Sequence, residues 1–197
     1  QAGYRVGRYL SPAVFEYREI MQVNGRPVSK KDLCRMMEHM KDVCGELVLE
    51  GKPHPTAYEI ETAMAFWYFK EQKCDIVVLE TGMGGRLDAT NVVQNTLLAI
   101  LTSISFDHRK VLGNSLEEIA TEKSGIIKKG SAVIALKGPE EVMKVLRDKA
   151  KELSVPLVTA DPADGKVVKR SLEKQVFHYG KYHDLTITLA GTYQIEN

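Results

Sequence analysis

The 197-residue sequence lacks the features that mark three large classes of protein. No apolar run approaches the roughly 20 residues that a membrane-spanning helix needs. No secretory signal peptide is visible, although the first residue is Gln. The 27 basic and 26 acidic residues give a formal net charge of +1, and they are interspersed, so no basic stripe for nucleic acid is present. We therefore expect neither a nucleic acid nor a membrane as a partner.

Cysteine is scarce as well. The three cysteines, Cys34, Cys44 and Cys74, lack the spacing of a zinc site or a disulfide framework. Cys34 and Cys44 fall on one predicted helix, which favours ordinary thiols over a bridge. An odd count of thiols without a framework is typical of a reducing compartment, so we expect a cytoplasmic protein.

The sequence also lacks both common nucleotide-binding loops. No Gly-x-x-x-x-Gly-Lys-Ser/Thr stretch occurs. The glycine-rich segment Gly82–Asn91 does not match a dinucleotide-binding motif either, because Leu87 stands where the third glycine belongs. Such a segment alone is more often a tight connection than a site, yet its glycines allow a backbone to approach a ligand closely.

The chain does contain short apolar runs that alternate with helix-start signals. Thr56–Glu59 and Ser115–Glu118 are capping boxes, Ser29 is a favourable N-cap, and Pro139 stands at a fourth predicted helix start. The predicted strands are Tyr4–Leu10, Asp75–Glu80, Leu97–Ile104 and Ala132–Leu136. We expect the second and third of these strands to be buried on both faces. The pattern predicts an α/β fold with a mostly parallel sheet flanked by helices, and a small β-rich meander after Pro156.

Polar residues follow three of the predicted strands. Ser11 ends the first strand, Glu80 ends the second, and Asp107 and His108 follow the third. Ligands of open parallel sheets bind beyond the carboxyl ends of the strands, so these side chains are predicted to meet at one edge. A carboxylate on an apolar strand needs a cation or donors, and Mg²⁺ with phosphate would supply the cation. Alternatively, Glu80 caps a helix or pairs with Arg86, and His108 only begins a helix.

Five segments together carry a family resemblance. Glu80–Asn91 (ETGMGGRLDATN) resembles the central signature of the folylpolyglutamate and dihydrofolate synthases, which belong to the ATP-dependent Mur ligase superfamily. The other segments that resemble this family are Gly3–Pro12, Thr102–His108, Ile119–Lys128 and Leu189–Asn197. They run through the chain in the family's order. The resemblance implies the Mur ligase central domain, which is similar to phosphate-loop NTPases, here without its phosphate loop.

The resemblance implies a catalytic magnesium centre. Ser11, Glu80 and His108 match family residues that hold magnesium ions at the terminal phosphates of the nucleotide and at the acyl-phosphate. Lys123 matches a lysine that is carbamylated in this family. Carbamylation would change a cation into an anion that can bind a metal, whereas an unmodified surface lysine would repel one. Glu80, His108 and Lys123 are the catalytic candidates.

The resemblance also implies substrate contacts. Thr56 and Tyr58 match positions that line a pterin pocket, where the Tyr58 ring is placed to stack. The loop expected to close on the pteroate is formed by Asp88, Ala89 and Thr90. Asn197 matches a residue that contacts adenine.

The implied reaction is ATP-dependent amide formation. ATP phosphorylates the carboxylate of a folate or of dihydropteroate, and the amine of L-glutamate attacks the resulting acyl-phosphate. Magnesium and a lysine would neutralise the charge on the transferring phosphoryl group. The expected partners are thus small molecules, and the complete enzyme is expected to be a monomer.

The sequence departs from the family in several places. Ala13 and Tyr193 stand where the family often has histidine. The family's phosphate loop is expected before Gln1 and its glutamate-binding domain after Asn197. Residues 1–197 are therefore predicted to be a partial ATP-binding core without ligase activity of its own. Two alternatives are another Mur-type ligase, for peptidoglycan precursors or cyanophycin, and a non-catalytic protein that binds folate or nucleotide.

Overall fold

The computed structural model describes residues 2–195 and divides them into two compact units. The first unit takes the described residues up to Met83 together with Leu87–Val92. The second takes Gly84–Arg86 and the described residues from Val93 onward. The glycine-rich segment is thus shared between the two units.

The first unit is a four-stranded sheet with two helices. Its strands are β1 (Val6–Tyr9), β2 (Met21–Val23), β3 (Arg26–Pro27) and β4 (Ile76–Leu79), in the spatial order β3-β2-β1-β4. β1 and β4 are parallel, with Tyr9 opposite Leu79, whereas β2 is antiparallel to both of its neighbours. The helices are α1 (Lys30–Leu49) and α2 (Ala57–Glu71).

Both long helices of this unit begin where the sequence predicts. The side chain of Ser29 accepts a hydrogen bond from the Asp32 amide, and Thr56 and Glu59 form the complete capping box. These bonds satisfy backbone donors that a helix start leaves unpaired. The buried faces of α1 and α2 pack with the sheet around Tyr9, Met21, Val28, Met36 and Met64.

The second unit contains a parallel sheet and an antiparallel meander. The parallel sheet consists of β5 (Leu98–Leu101), β6 (Ala132–Leu136) and β7 (Leu157–Ala160) in that order. The meander consists of β8 (Gly165–Arg170), β9 (Gln175–Tyr179) and β10 (Tyr182–Ile187). The helices are α3 (Arg109–Leu112), α4 (Leu116–Ser124) and α5 (Glu140–Leu153). The predicted α/β class with a β-rich C-terminal meander is confirmed.

The parallel strands do not form one sheet, however. β4 is the edge of the first sheet and β5 the edge of another. The prediction that both strands are buried on two faces is wrong for the described residues: Val78 is 55% exposed and Ile100 is 59% exposed. Alternate residues of β5, Ala99 and Leu101, are buried in the core that α4 and α5 help to form. β5 therefore has one covered face, whereas β4 has no fully buried residue on either face.

Candidate functional site

The ends of β1 and β4 bring Ser11 and Glu80 together. Because these strands are parallel neighbours, their carboxyl ends lie side by side, and the residues that follow them start from the same side of the first sheet. The Ser11 amide donates to Oε2 of Glu80 at 3.1 Å, and the Glu80 amide donates to the Tyr9 carbonyl at 3.0 Å. Glu80 is exposed rather than enclosed by apolar residues. Its carboxylate is therefore held by a backbone donor while remaining open to a ligand.

The Asp88 carboxylate organises the loop that follows Glu80. One oxygen accepts from the amides of Gly82 and Met83 at 3.0 and 2.9 Å. The other accepts from the Thr90 amide at 2.9 Å, the Thr90 hydroxyl at 2.5 Å and the Tyr58 hydroxyl at 3.2 Å. Asp88 is only 9% exposed. Five donors thus compensate for the burial of one carboxylate, and they fix the loop's shape.

Tyr58 ties this loop to the first turn of α2. Its ring lies so close to Gly82 that a Cβ there would be 2.5 Å from Cζ of the ring. Only glycine allows this approach. Burial raises the pKa of the Tyr58 hydroxyl far above its usual range, and the negative charge of Asp88 adds to the effect. Tyr58 therefore remains a neutral donor to Asp88.

The predicted pterin-binding residues are all in the first unit. Tyr58, Asp88 and Thr90 form one hydrogen-bonded cluster, and Ala89 begins a short 3-10 turn, Ala89–Val92, within it. Thr56 lies just before α2, where its hydroxyl donates to Glu59 in the capping box. The hydroxyl and carboxylate groups of the cluster bind one another, so they give the loop a defined surface.

Removing the Asp88 carboxylate is expected to destabilise the first unit strongly. Asp88→Ala leaves five donors without their acceptor, and we expect the free energy of unfolding to fall by about 2–4 kcal/mol. Urea denaturation followed by circular dichroism measures this. Asp148→Ala is the matched control, because Asp148 forms an exposed pair with Lys144 on α5, and such pairs contribute at most about 1 kcal/mol. Equal stability of the two variants would contradict the central position of Asp88.

His108 stands in the second unit at the start of α3. Its φ and ψ of 45° and 39° are left-handed, which costs a non-glycine residue about 1–2 kcal/mol. The His108 amide donates to Oδ1 of Asp107 at 2.7 Å, and the His108 side chain is 55% exposed. The helix-start alternative describes its position correctly. Strained residues of this kind concentrate at functional sites, so the conformation is compatible with a binding role too.

Lys123 is the penultimate residue of α4. It is half-buried, and its amine forms no hydrogen bond or ion pair with any residue in the range that the structure describes. A long side chain whose amine has no partner among residues 2–195 is available for modification or for an anionic ligand. The remaining predicted residue, Asn197, lies outside the described residues.

The guanidinium of Arg86 donates to the carboxylate of Glu122, next to Lys123. Sequence reasoning missed Glu122. The available signal was a pair of glycines. Gly85 directly precedes Arg86, and Gly125 follows Glu122 by three residues.

The oxygen ligands present suit magnesium better than a transition metal. Among residues 2–195, no group of three or more His, Cys, Asp and Glu side chains is arranged to hold a metal ion. Ser11 and Glu80 supply one hydroxyl and one carboxylate. Mg²⁺ is commonly bound through one or two carboxylates, with water and substrate phosphates completing its coordination. The first unit therefore fits a magnesium ion that arrives with a nucleotide.

Two further observations concern the whole of the described chain. Cys34, Cys44 and Cys74 are all free thiols. In the part that the structure describes, no helix has the length and apolar character needed to cross a membrane.

Comparison with known proteins identifies relatives along the full chain. Residues 30–197 match the Mur ligase middle domain. A dihydrofolate synthase/folylpolyglutamate synthase of Bacillus subtilis is 38% identical over 209 residues, covering 100% of this chain and 47% of the relative. A folylpolyglutamate synthase of Arabidopsis thaliana is 30% identical, covering 99% of this chain and 29% of the relative.

Solved structures show the same relationship. A folylpolyglutamate synthase of Thermotoga maritima is 37% identical, with a TM-score of 0.85, over 98% of this chain and 45% of that one. An FPGS structure in complex with AMPPCP and folate is 28% identical, with a TM-score of 0.86, over 98% of this chain and 48% of that one. The chain spans about half the length of these structures and of the Bacillus relative. The family resemblance predicted from the motifs is confirmed.

Proposed function

Because the chain belongs to the Mur ligase middle domain family, we propose that it is a partial ATP-binding core, residues 1–197, of an ATP-dependent ligase. The ligase joins L-glutamate to the carboxylate of a folate or of dihydropteroate. The proposal is carried by the similarity of the whole chain to a dihydrofolate synthase/folylpolyglutamate synthase. An AMPPCP and folate complex of a structural relative supports the nucleotide and the folate as ligands. The three free thiols of the present chain support a reducing, cytoplasmic location.

The proposed reaction has two steps. A carboxylate oxygen of the acceptor attacks the γ-phosphorus of ATP, the bond to the β-phosphate oxygen breaks, and ADP leaves. The amine of glutamate then attacks the acyl carbon, the new C–N bond forms, and inorganic phosphate leaves as the amine loses a proton. Both steps depend on positioning and on charge neutralisation, which is why metal ligands rather than a nucleophilic side chain are expected.

The proposed ligands in the first unit are Ser11 and Glu80. When bound, magnesium supplies positive charge that stabilises the transferring phosphoryl group. The hydrogen bond from the Ser11 amide to Oε2 fixes the orientation of the Glu80 side chain. The carboxylate therefore needs little reorganisation to bind the metal ion. His108, in the second unit, is proposed as a further ligand on the basis of the family resemblance and its strained conformation.

Lys123 is proposed to act as a carbamate. Its neutral amine attacks the carbon of CO₂, a C–N bond forms, one C=O electron pair moves to oxygen, and the nitrogen proton is released to water. The product is an anion that can bind a metal or orient a positively charged group. The half-buried position and the unpaired amine within the described residues support this modification.

The pterin is proposed to bind against the loop that Asp88 organises. Thr56, Tyr58, Asp88, Ala89 and Thr90 are the proposed contacts. The hydrogen bonds among Tyr58, Asp88 and Thr90 make this surface rigid before binding, which lowers the entropic cost of fixing a ligand. The Tyr58 ring, held by Gly82 and by Asp88, supplies an aromatic wall.

The experiment that tests the proposal uses the complete reading frame. The protein is incubated with ATP, magnesium, glutamate and either dihydropteroate or tetrahydrofolate, and the products are identified by mass spectrometry. Addition of glutamate to one or both acceptors is expected and distinguishes the two substrate classes. The same assay on residues 1–197 alone is expected to give no product, since this chain contains no phosphate-binding loop.

Two results would overturn the assignment. Bound folate without glutamate addition in the complete protein would indicate a non-catalytic binding protein. ATP hydrolysis that requires a different acceptor, such as a peptidoglycan precursor, would indicate another Mur-type ligase.

A further inference from the structure

The glycine-rich segment and the last turn of α4 approach each other at backbone distance within the second unit. A Cβ on Gly85 would lie 2.7 Å from the carbonyl oxygen of Lys123 and 2.8 Å from that of Glu122. A Cβ on Gly125 would lie 2.5 Å from Cα of Arg86. Real Cβ atoms do not come this close, so both positions require glycine for the contact to form. Two residues of this contact, Glu122 and Gly125, flank Lys123 in sequence.

Arg86 and Glu122 lock this contact with both backbone and side chain. The Arg86 amide donates to the Glu122 carbonyl at 2.8 Å. Nη2 of the guanidinium donates to Oε1 of Glu122 at 2.9 Å, and Nε lies 3.1 and 3.2 Å from the two carboxylate oxygens. This fork holds the plane of the carboxylate as well as its position. The guanidinium also stands at the C-terminal end of α4, where the helix dipole favours a cation.

The pair's location matters more than its contribution to stability. The side chains of Arg86 and Glu122 are 58% and 22% exposed, and exposed ion pairs contribute little to stability. Glu122 immediately precedes Lys123, one residue before the end of α4. Helix ends fray, so a side chain in the last turn is imprecisely placed unless something restrains that turn.

We propose that Arg86 and Glu122 are a positioning pair that restrains the last turn of α4 and thereby holds Lys123 in the orientation in which it works. The inference rests on the proposed function, because it assigns the pair to the ligase site. Neither residue needs to touch substrate. Partners of this kind typically change metal affinity or activity by about 10–100-fold when they are replaced.

The test compares Arg86→Ala, Arg86→Lys and Glu122→Gln in the complete protein. We expect kcat to fall by about 10–100-fold and the magnesium concentration for half-maximal rate to rise, while the KM for glutamate changes less than about twofold. Arg86→Lys is expected to recover only part of the loss, because an ammonium cannot form the two-pronged bond. Arg35→Ala is the matched control, since Arg35 forms a similar fork with Glu71 between α1 and α2, both in the first unit.

Hydrogen exchange separates this proposal from the proposed function. Amides of residues 116–125 are expected to exchange about tenfold faster in Arg86→Ala and unchanged in Arg35→Ala. Wild-type rates and magnesium dependence in the Arg86 and Glu122 variants, or unchanged exchange in α4, would overturn the positioning role. If α4 exchanges more slowly in the wild-type protein than in Arg86→Ala but the wild-type protein adds no glutamate, the ligase assignment is overturned. The restraint of α4 by Arg86 and Glu122 is then still supported. If the Arg86 and Glu122 variants differ from Arg35→Ala in neither activity, magnesium dependence nor hydrogen exchange, the pair only stabilises the fold and does not position Lys123.

Discussion

Glu80→Ala is expected to lower kcat of the complete ligase by at least about 100-fold without unfolding it. Glu80 is exposed beyond β4, and its carboxylate is oriented by the Ser11 amide. A carboxylate in this position can bind the magnesium that offsets negative charge on the transferring phosphate. A 100-fold loss corresponds to about 2.7 kcal/mol of transition-state stabilisation, which is within the several kcal/mol that a metal ion supplies. Initial rates at saturating ATP and glutamate, measured over a range of magnesium concentrations, give the effect.

The control for Glu80 is a carboxylate on the same unit that has no proposed ligand. Glu38 is exposed on α1, so Glu38→Ala is expected to retain wild-type kcat and magnesium dependence. Both variants are expected to keep the wild-type melting temperature within a few degrees. If Glu80→Ala unfolds the protein, its carboxylate is structural and not a ligand. A folded Glu80→Ala enzyme with a wild-type rate would remove Glu80 from the reaction.

Local signals predicted most of the helices. The capping boxes at Thr56 and Ser115 lie where the sequence places them, because the bonds that define a capping box join residues only three positions apart. Such contacts depend on nothing beyond the segment itself. The strand Ala132–Leu136 was also predicted with its observed limits.

One local signal was present but unused. Asn24 and Gly25 join β2 to β3, and both have positive φ, 49° and 76°. Asn-Gly between short apolar runs is a strong indicator of a two-residue hairpin turn. This dipeptide predicts the antiparallel half of the first sheet, and therefore that the sheet contains both parallel and antiparallel strands.

The division of the strands between sheets could not be predicted from periodicity. The runs Ile76–Leu79 and Leu98–Leu101 consist of apolar residues at every position, so they carry no alternation that shows which face is covered. Neighbouring strands and helices determine the exposure of Val78 and Ile100. An apolar strand therefore indicates that both faces tolerate burial, but not that both are buried in this chain.

The candidate site was predicted as a list of residues but not as a network. Tyr58 and Asp88 are 30 positions apart, and Arg86 and Glu122 are 36 apart. Hydrogen bonds over such separations arise from the fold, and the sequence contains no spacing rule for them. The family resemblance predicts that Asp88 contacts substrate, and the structure adds that its carboxylate holds Gly82, Met83 and Thr90 in place. The close approach of the Tyr58 ring explains why residue 82 is a glycine.

Replacing Lys123 is expected to have an effect as large as that of replacing Glu80, for a different chemical reason. Lys123→Ala removes the amine, and Lys123→Arg keeps a positive charge but offers a guanidinium that does not lose its proton and so does not add to CO₂. We therefore expect both variants to lose at least about 100-fold in kcat, which corresponds to about 2.7 kcal/mol. If the amine acted only as a cation, Lys123→Arg would retain much of the activity. Lys129→Ala, an exposed lysine of the same unit, is the control that should keep the wild-type rate.

Dependence on CO₂ tests the carbamate directly. Wild-type enzyme freed of dissolved CO₂ is expected to lose activity and to regain it when bicarbonate is added, whereas Lys123→Arg is expected to respond to neither treatment. Incubation with ¹³C-bicarbonate should give the wild-type protein a carbamate carbon resonance that the Lys123→Arg protein lacks. A free Lys123 amine in a magnesium-bound crystal structure would contradict the carbamate. In that case the Lys123 amine would act as a cation towards the phosphate, and Arg86 and Glu122 would hold a positive charge in place instead of a negative one.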